Sequence, residues 1–358
     1  MTAVIIGSGA ICAVGIGIMQ IAASVRAGLS RFAASPIQDR NFDPITMALL
    51  PEPALGELVP ELAGLPLGAR LTRLLRLAAP ALQQAARRAP DLSRTPVLVG
   101  LPEARALSQA ESLLPAAASP TAESFLSLLA AQSQLRFAHF HSQVFPLGRA
   151  AALIALERAL ELLSTGQCET VIVGGVDTHV DLRLLAGLSD EQRLLGGAVT
   201  DGFIPGEGAA FVVLSAAADR SRAATRVIAT AGALDPGHRY GSAPARGEGL
   251  AHAVAALRSR LPASAAPVGC TWAGLNGENF GAKEWGVAQL RHRELFSESM
   301  QLEHPADCYG DLGAATGAML LALAEHTMSA NTRPSPALIW ASSDREPVAC
   351  AYLSDNSP

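Results

Sequence analysis

The strongest constraint in this sequence is a set of short apolar runs that do not alternate with polar residues. AVIIG (3–7), PVLVG (96–100), ETVIVG (169–174), AAFVVL (209–214), RVIATA (226–231), VGCTWA (268–273), ALIWAS (337–342) and PVACAYL (347–353) are rich in β-branched and small side chains. A strand with one wet face alternates, whereas runs of this kind belong to strands covered on both faces. Between them lie segments of helical character at 18–27, 69–87, 104–114, 121–133, 149–164, 246–260, 282–293 and 314–327. Covered strands interleaved with helices predict a layered α/β fold.

The order of these elements repeats. A strand, helices, a covered strand and a closing β-hairpin occur in residues 1–218 and again in 219–358, with the small, polar AAADRSRAAT (216–225) as the join. Two such halves packed together predict five layers, with helices outside two sheets and a helical layer between them. The Pro- and Leu-rich stretch 34–66 is expected to be an irregular excursion inside the first half and not a separate domain.

Composition narrows the function classes. The 358 residues carry a formal charge of −5, which argues against a general nucleic-acid binder. Cys12, Cys168, Cys270, Cys308 and Cys350 are scattered, odd in number and without a CxxC pair. Neither a disulfide framework nor a zinc site is expected, and a reducing cytoplasm is the expected compartment. Thr2–Val25 has no charged residue, but Gly7, Gly9, Gly15 and Gly17 interrupt it and no basic residue precedes it. It reads as a strand, a glycine turn and a helix beginning near Ile18, not as a membrane span or signal peptide.

One helix stands out. In GRAAALIALERALELL, Leu153, Leu156, Leu160 and Leu163 repeat at helical spacing, and Ile154, Ala155, Ala159 and Leu162 widen the apolar surface. Such a helix is mostly interior, and Gly166 stands where a C-terminal glycine cap is expected.

Four segments, in order, resemble the thiolase-fold β-ketoacyl synthases. VIIGSGAICAVGIGIMQIAASVRAGLSRF is similar to their opening strand, turn and helix. GRAAALIALERALELLSTGQCETVIVGG resembles their nucleophile helix and the strand behind it. TDGFIPGEGAAFVVLS (200–215) matches their Asp-Gly-Phe and Gly-Glu-Gly signature most specifically. CYGDLGAATGAMLLALA resembles the helix entry after their second catalytic histidine. The resemblance implies the five-layered αβαβα fold.

It also implies a catalytic set that this chain lacks. Active members use a cysteine nucleophile and two histidines, which decarboxylate a malonyl partner and stabilise the enolate and oxyanion. Counting back from Gly174-Gly175 places the cysteine at Arg149, with Leu147, Gly148, Ala150 and Ala151 around it. The first histidine falls on Asn276 in AGLNGENFG, the second on Asp311 in YGDLGAATG, and the accompanying lysine on Ala306. SSDRE (342–346) replaces a glycine-rich turn that lines the family's acyl pocket. A guanidinium has no lone pair to attack a thioester. The chain is therefore expected to be a pseudoenzyme with no catalytic residues and no cofactor or metal. Arg149, badly placed against a helix dipole, is expected to pair with Asp311, and Asn276 to fill the remainder.

Other residues carry weaker signals. His139 and His141 share one side of an extended segment but have no third ligand at a suitable spacing, which favours a structural or interface role. GSGAIC begins like a dinucleotide fingerprint, yet Cys12 occupies its third glycine, so Gly7 and Gly9 read as turn formers. Cys308, three residues before Asp311, is the one cysteine to weigh as a replacement nucleophile, with Ser142 beside it. Cys12 and Cys270 read as core thiols, and Glu207 as a structural hydrogen-bonding residue.

Three functional readings stand. The favoured one is a catalytically inactive adaptor or scaffold. Short degenerate members that this sequence resembles, with VRAG and GFIPGEGA, sit in bacterial type VI secretion clusters, which implies a role in effector loading with an effector or adaptor as partner. Alternatively the chain is a non-catalytic partner of an active ketosynthase and its acyl carrier protein, or an acyl-transfer enzyme using Cys308 or Ser142. A pocket holding a small anion on Arg149 is the remaining possibility. The family habit implies a homodimer through the strand near 135–145, using Phe137, Phe140, Val144 and Phe145. No nucleic acid or membrane partner is expected.

Overall fold

Thr170–Thr178 is buried at all nine positions, as a strand covered on both faces must be. In the computed structural model, which describes residues 2–103, 122–197, 199–216 and 224–355, it lies in the middle of one half of the molecule. That half contains β1 (Ala3–Cys12), β2 (Gly15–Ile16), α1 (Ile18–Arg26), β3 (Ala33–Gln38), β4 (Pro44–Met47), α2 (Pro60–Ala63), α3 (Ala69–Ala86), β5 (Pro96–Gly100), α4 (Ala122–Ser133), β6 (Ala138–Phe145), α5 (Ala151–Ser164), β7 (Thr170–Thr178), α6 (Leu182–Asp190) and β8 (Glu207–Ala216). The other contains β9 (Arg226–Leu234), α7 (Glu248–Arg260), β10 (Val268–Ala273), α8 (Asn279–Arg291), β11 (Phe296–Glu303), α9 (Ala306–Tyr309), α10 (Thr316–Ser329), β12 (Ala337–Ser342) and β13 (Pro347–Ser354).

The sheet runs β6-β5-β7-β8-β1-β9-β13-β12-β10-β11. Each half has the same internal order. Its first strand pairs antiparallel with its last, the last antiparallel with the fourth, the fourth parallel with the second, and the second parallel with the third. The two predicted sheets are thus one continuous ladder, joined among the described residues where Ala3 and Val4 meet Val227 and Arg226. The layering is unaffected. Helices α3 and α4 cover one half, α7 and α8 cover the other, and α5 and α10 lie between them. Each central helix starts beside the other, and their buried Ala and Leu side chains share one core with β1, β7, β8 and β12. Gly166 has φ +70 and ends α5 as predicted.

Two expectations need correction. Gly7 and Gly9 are not turn formers: both lie within β1, and a Cβ on Gly9 would overlap the backbone of α3 at Ala81. They are glycines because a helix packs directly on that strand. The stretch 34–66 is not wholly irregular, since β3 and β4 form a hairpin and α2 follows. That hairpin packs Ile45 and Met47 against Leu185, Leu188 and Phe203, which explains its apolar content. The uncharged segment at the N-terminus is divided among β1, β2 and α1, and no helix among the described residues is long and apolar enough to cross a membrane. The helix predicted at 104–114 lies outside the described residues.

Candidate functional site: an ionic centre between the two halves

Arg149 sits in a tight turn, Gly148–Ala150, that leads into α5. Gly148 has φ +66, and a Cβ there would press on Glu103 Oε1 at 3.0 Å, so the turn requires glycine. Asp311 follows Gly310 (φ +73) at the entry to α10, where its backbone N–H donates to the Ile204 carbonyl and its own carbonyl accepts from Gly206 N–H. The signature GFIPGEG thus clamps the loop that carries Asp311. Asn276 lies in the loop after β10, and Asp344 in the turn between β12 and β13.

The structure brings Arg149, Asp311 and Asn276 together. Arg149 Nε donates to Asp311 Oδ2 at 2.9 Å, Nη2 donates to the same oxygen, and Nη1 donates to Asp344 Oδ1 at 2.8 Å. Asn276 Nδ2 donates to Asp311 Oδ2 at 2.8 Å and to Glu278 Oε2 at 3.0 Å. The Gly313 N–H donates to Asp311 Oδ1 at 2.8 Å. Arg193 extends the array with a two-bond fork onto Glu278, both at 2.9 Å, and bonds to both oxygens of Asp344 at 2.8 and 2.9 Å. Arg239 reaches Glu278 at 2.8 Å. The Phe203 ring lies 5.7 Å from the Arg149 guanidinium and 5.3 Å from that of Arg193, completing the apolar wall.

Three guanidinium groups therefore face three carboxylates, and the centre is charge-balanced. Burial alone would push the Asp311 carboxyl up, but Arg149, helped by His179 and the bonds from Arg149 and Asn276, holds it at about 2. Asp344 is held well below the carboxylate range by Arg149 and Arg193 against the same burial. Arg149 stays protonated, because Asp311 and Asp344 outweigh its desolvation. Glu103 is different. Burial, then the nearby Asp344 carboxylate, raises it to about 7, while its Oε1 accepts the Asp344 N–H at 3.0 Å.

A cleft of about 600 Å³, counting its open mouth, reaches this centre past Glu103, Arg149, Phe203, Tyr240 and Asp344. Arg149 spends its donors on Asp311 and Asp344, so it offers little to an incoming anion. Cys308 lies buried in the core within α9 and does not line this cleft. Its thiol is pushed up by burial and by Asp307, which disfavours the thiolate that a nucleophile needs. Ser142 is committed to backbone: its hydroxyl donates to Ala138 O and accepts from Val97 N–H at 2.9 Å. Glu207 is fully buried, and accepts from Leu50 N–H at 2.9 Å, Thr178 Oγ1 at 2.9 Å and Arg73 at 2.5 and 2.7 Å. Among the described residues no group of three His, Cys, Asp or Glu is placed to hold a metal ion.

Sequence reasoning missed Arg193, Arg239, Glu278 and Asp344. Two of these carried a signal. Glu278 is two residues beyond Asn276, and Asp344 lies within the SSDRE turn already marked as a departure. Arg193 and Arg239 stand in loops with no local pattern.

The architecture is the mixed α/β, thiolase-like fold of the ketosynthases. Residues 148–220, which run from the Arg149 turn through the Gly-Glu-Gly signature, match the family described as Beta-ketoacyl synthase, N-terminal domain. Among solved structures the chain is similar to the ishigamide ketosynthase/chain length factor, with TM-score 0.72, 20% identity and 100% of both chains covered. It is also similar to a ketosynthase from module 6 of the bacillaene synthase of Bacillus subtilis 168, with TM-score 0.76, 13% identity, and 100% of this chain and 72% of that chain covered. A third is a type II PKS acyl-carrier protein in complex with its ketosynthase bound to the hexaketide, with TM-score 0.73, 14% identity and 98% of both chains covered. No curated protein matches the sequence.

Proposed function

We propose that this chain is a non-condensing member of the ketosynthase fold that works by binding protein partners, as an adaptor or scaffold in the cytoplasm. The observation that carries this reading is the buried fork between Arg149 and Asp311 at the heads of the two central helices. A guanidinium occupies the nucleophile's place, and the carboxylate opposite it is ionised and cannot donate to an oxyanion. The centre is filled with matched charges, which makes it a poor host for an apolar acyl chain.

The finer setting follows from the sequence resemblance, which implies effector loading in type VI secretion, with an effector or its adaptor as partner. A second reading has its own support in the likeness to a ketosynthase/chain length factor structure: a non-catalytic partner of an active ketosynthase. In either case self-association through β6 is the proposed assembly. Among the described residues that strand ends the sheet, and Phe140 on it is 78% exposed.

The test is intact-mass spectrometry of the purified protein after incubation with acyl and malonyl thioesters, alongside an assay for malonyl decarboxylation. The expected result is an unchanged mass and no decarboxylation. An acyl adduct on the chain overturns the proposal. A pull-down from native cells separates the two settings, by recovery of a secretion effector or of an acyl carrier protein.

A further inference from the structure

The cleft that leads to the ionic centre contains two charged side chains that the centre does not use. Arg345 follows Asp344 in the turn between β12 and β13, and Glu103 lies beside it; both line the cleft. Arg345 Nε stands 4.0 Å from Glu103 Oε2, beyond hydrogen-bond range. Glu103 Oε1 accepts the Asp344 N–H, but among the described residues Oε2 accepts no hydrogen bond and the Arg345 guanidinium donates none. The two side chains are 18% and 32% exposed, so a ligand can reach both.

The other charges of the cleft are already matched. Arg149, Arg193 and Arg239 face Asp311, Asp344 and Glu278, and Arg70 pairs with Asp177 at 3.1 Å. What remains is one carboxyl and one guanidinium, side by side and loosely engaged, in a cleft with an apolar wall of Leu184, Leu188 and Phe203. An anion would satisfy Arg345 and repel Glu103, and a cation would do the reverse. A zwitterion whose two charges sit on adjoining carbons answers both, and exchanges a loose ion pair for two charge-assisted hydrogen bonds.

We propose that this cleft binds a free α-amino acid with an aliphatic side chain. The ammonium donates to Glu103 Oε2, the carboxylate accepts from Arg345, and the side chain lies against Leu184, Leu188 and Phe203. The inference rests on the reading of the Arg149 centre as filled and non-condensing. The charged groups that face Glu103 are Asp344 and Arg345 on the turn and Arg149 at the head of α5; burial, then Asp344, raises its carboxyl to about 7. A bound ammonium favours the ionised form. Affinity therefore falls about tenfold from pH 8 to pH 6, where Glu103 must first give up its proton.

The experiment is isothermal titration of the full chain with L-leucine at pH 8 and pH 6, beside 3-methylbutylamine and 4-methylpentanoate, which lack its carboxylate and its amine. Saturable binding of leucine is expected, tighter at pH 8, with each analogue about tenfold weaker or more. Arg345→Gln and Glu103→Gln should each weaken leucine by about tenfold, as loss of one charge-assisted contact implies. Glu103→Gln keeps an oxygen for the Asp344 N–H and should also remove the pH dependence. The proposal is overturned if leucine does not bind, if either analogue binds as well, or if both variants bind like the parent. An acyl adduct in the mass measurement overturns the non-condensing reading, whereas an unmodified chain that ignores leucine refutes this site alone.

Discussion

Arg149 and Asp311 lie 162 positions apart, yet they meet in a two-nitrogen fork where the two central helices begin. Their charges suit these positions unequally. An aspartate favours a helix N-terminus and an arginine opposes it, so Arg149 is held there by its partners and not by the helix. Removing one side of a buried pair leaves an uncompensated charge.

Arg149→Met should therefore destabilise the protein by about 3–5 kcal/mol in urea unfolding. The double change Arg149→Met with Asp311→Leu should recover most of that loss, because a packed apolar pair can replace a buried ion pair. If the double variant is as unstable as the single, the cost lies in packing around residue 149 and not in the orphaned carboxylate.

The Glu284 carboxyl predicts a pH dependence. It is buried on α8, and burial together with the Asp235 carboxylate raises it to about 8. A folded-state value above the unfolded one means that the native state binds the extra proton. The stabilisation is full below about 4.5 and is lost as the pH climbs toward 8; Glu103, raised to about 7, contributes in the same sense. Glu284→Gln should leave the midpoint little changed at pH 5 and raise it at pH 8. Parallel curves for parent and variant across that range would refute the assignment.

Gly174 on β7 leaves room for the ring of Phe211, its paired residue on β8, which a Cβ there would overlap. Gly174→Ala should cost about 2–4 kcal/mol by denaturant titration, as overpacking in a tight core does. A cost under about 1 kcal/mol would mean that the ring has room to turn aside.

Association at β6 is the remaining expectation. Phe140→Glu places a charge on the terminal strand of the sheet, where Phe140 is exposed and its loss leaves the core intact. Light scattering should show a dimer for the parent and a monomer for the variant. A monomeric parent at the concentrations of the assay would remove this edge as a homodimer interface.

Much of the fold was legible because covered strands and interior helices leave an unmistakable composition. The runs at 96–100, 268–273 and 337–342 became strands at those very limits, and α5 follows its leucines. What was not legible has a physical cause in each case. β6 and β11 lie at the two edges of the sheet and are half exposed, so FSESMQLE lacks the apolar density of its neighbours and the strand near 135–145 was placed only by the family resemblance. The glycines of β1 were misread because their reason is a helix distant in sequence. In the site, Arg149, Asn276 and Asp311 could be placed by motif, and they meet. Arg193 and Arg239 could not, since an ion pair made from a loop to a carboxylate distant in sequence is a tertiary fact with no periodic trace.

The same fork bears on how the molecule comes apart. Among the described residues the halves are joined in the sheet by two residue pairs, at Ala3 and Val4. Arg149 belongs to one half and Asp311 to the other, so neither half can open without exposing a charge that its counterpart neutralises. The ionic centre thus acts as a thermodynamic lock, making the melting of one half raise the free energy of the other and favouring a single, all-or-none transition.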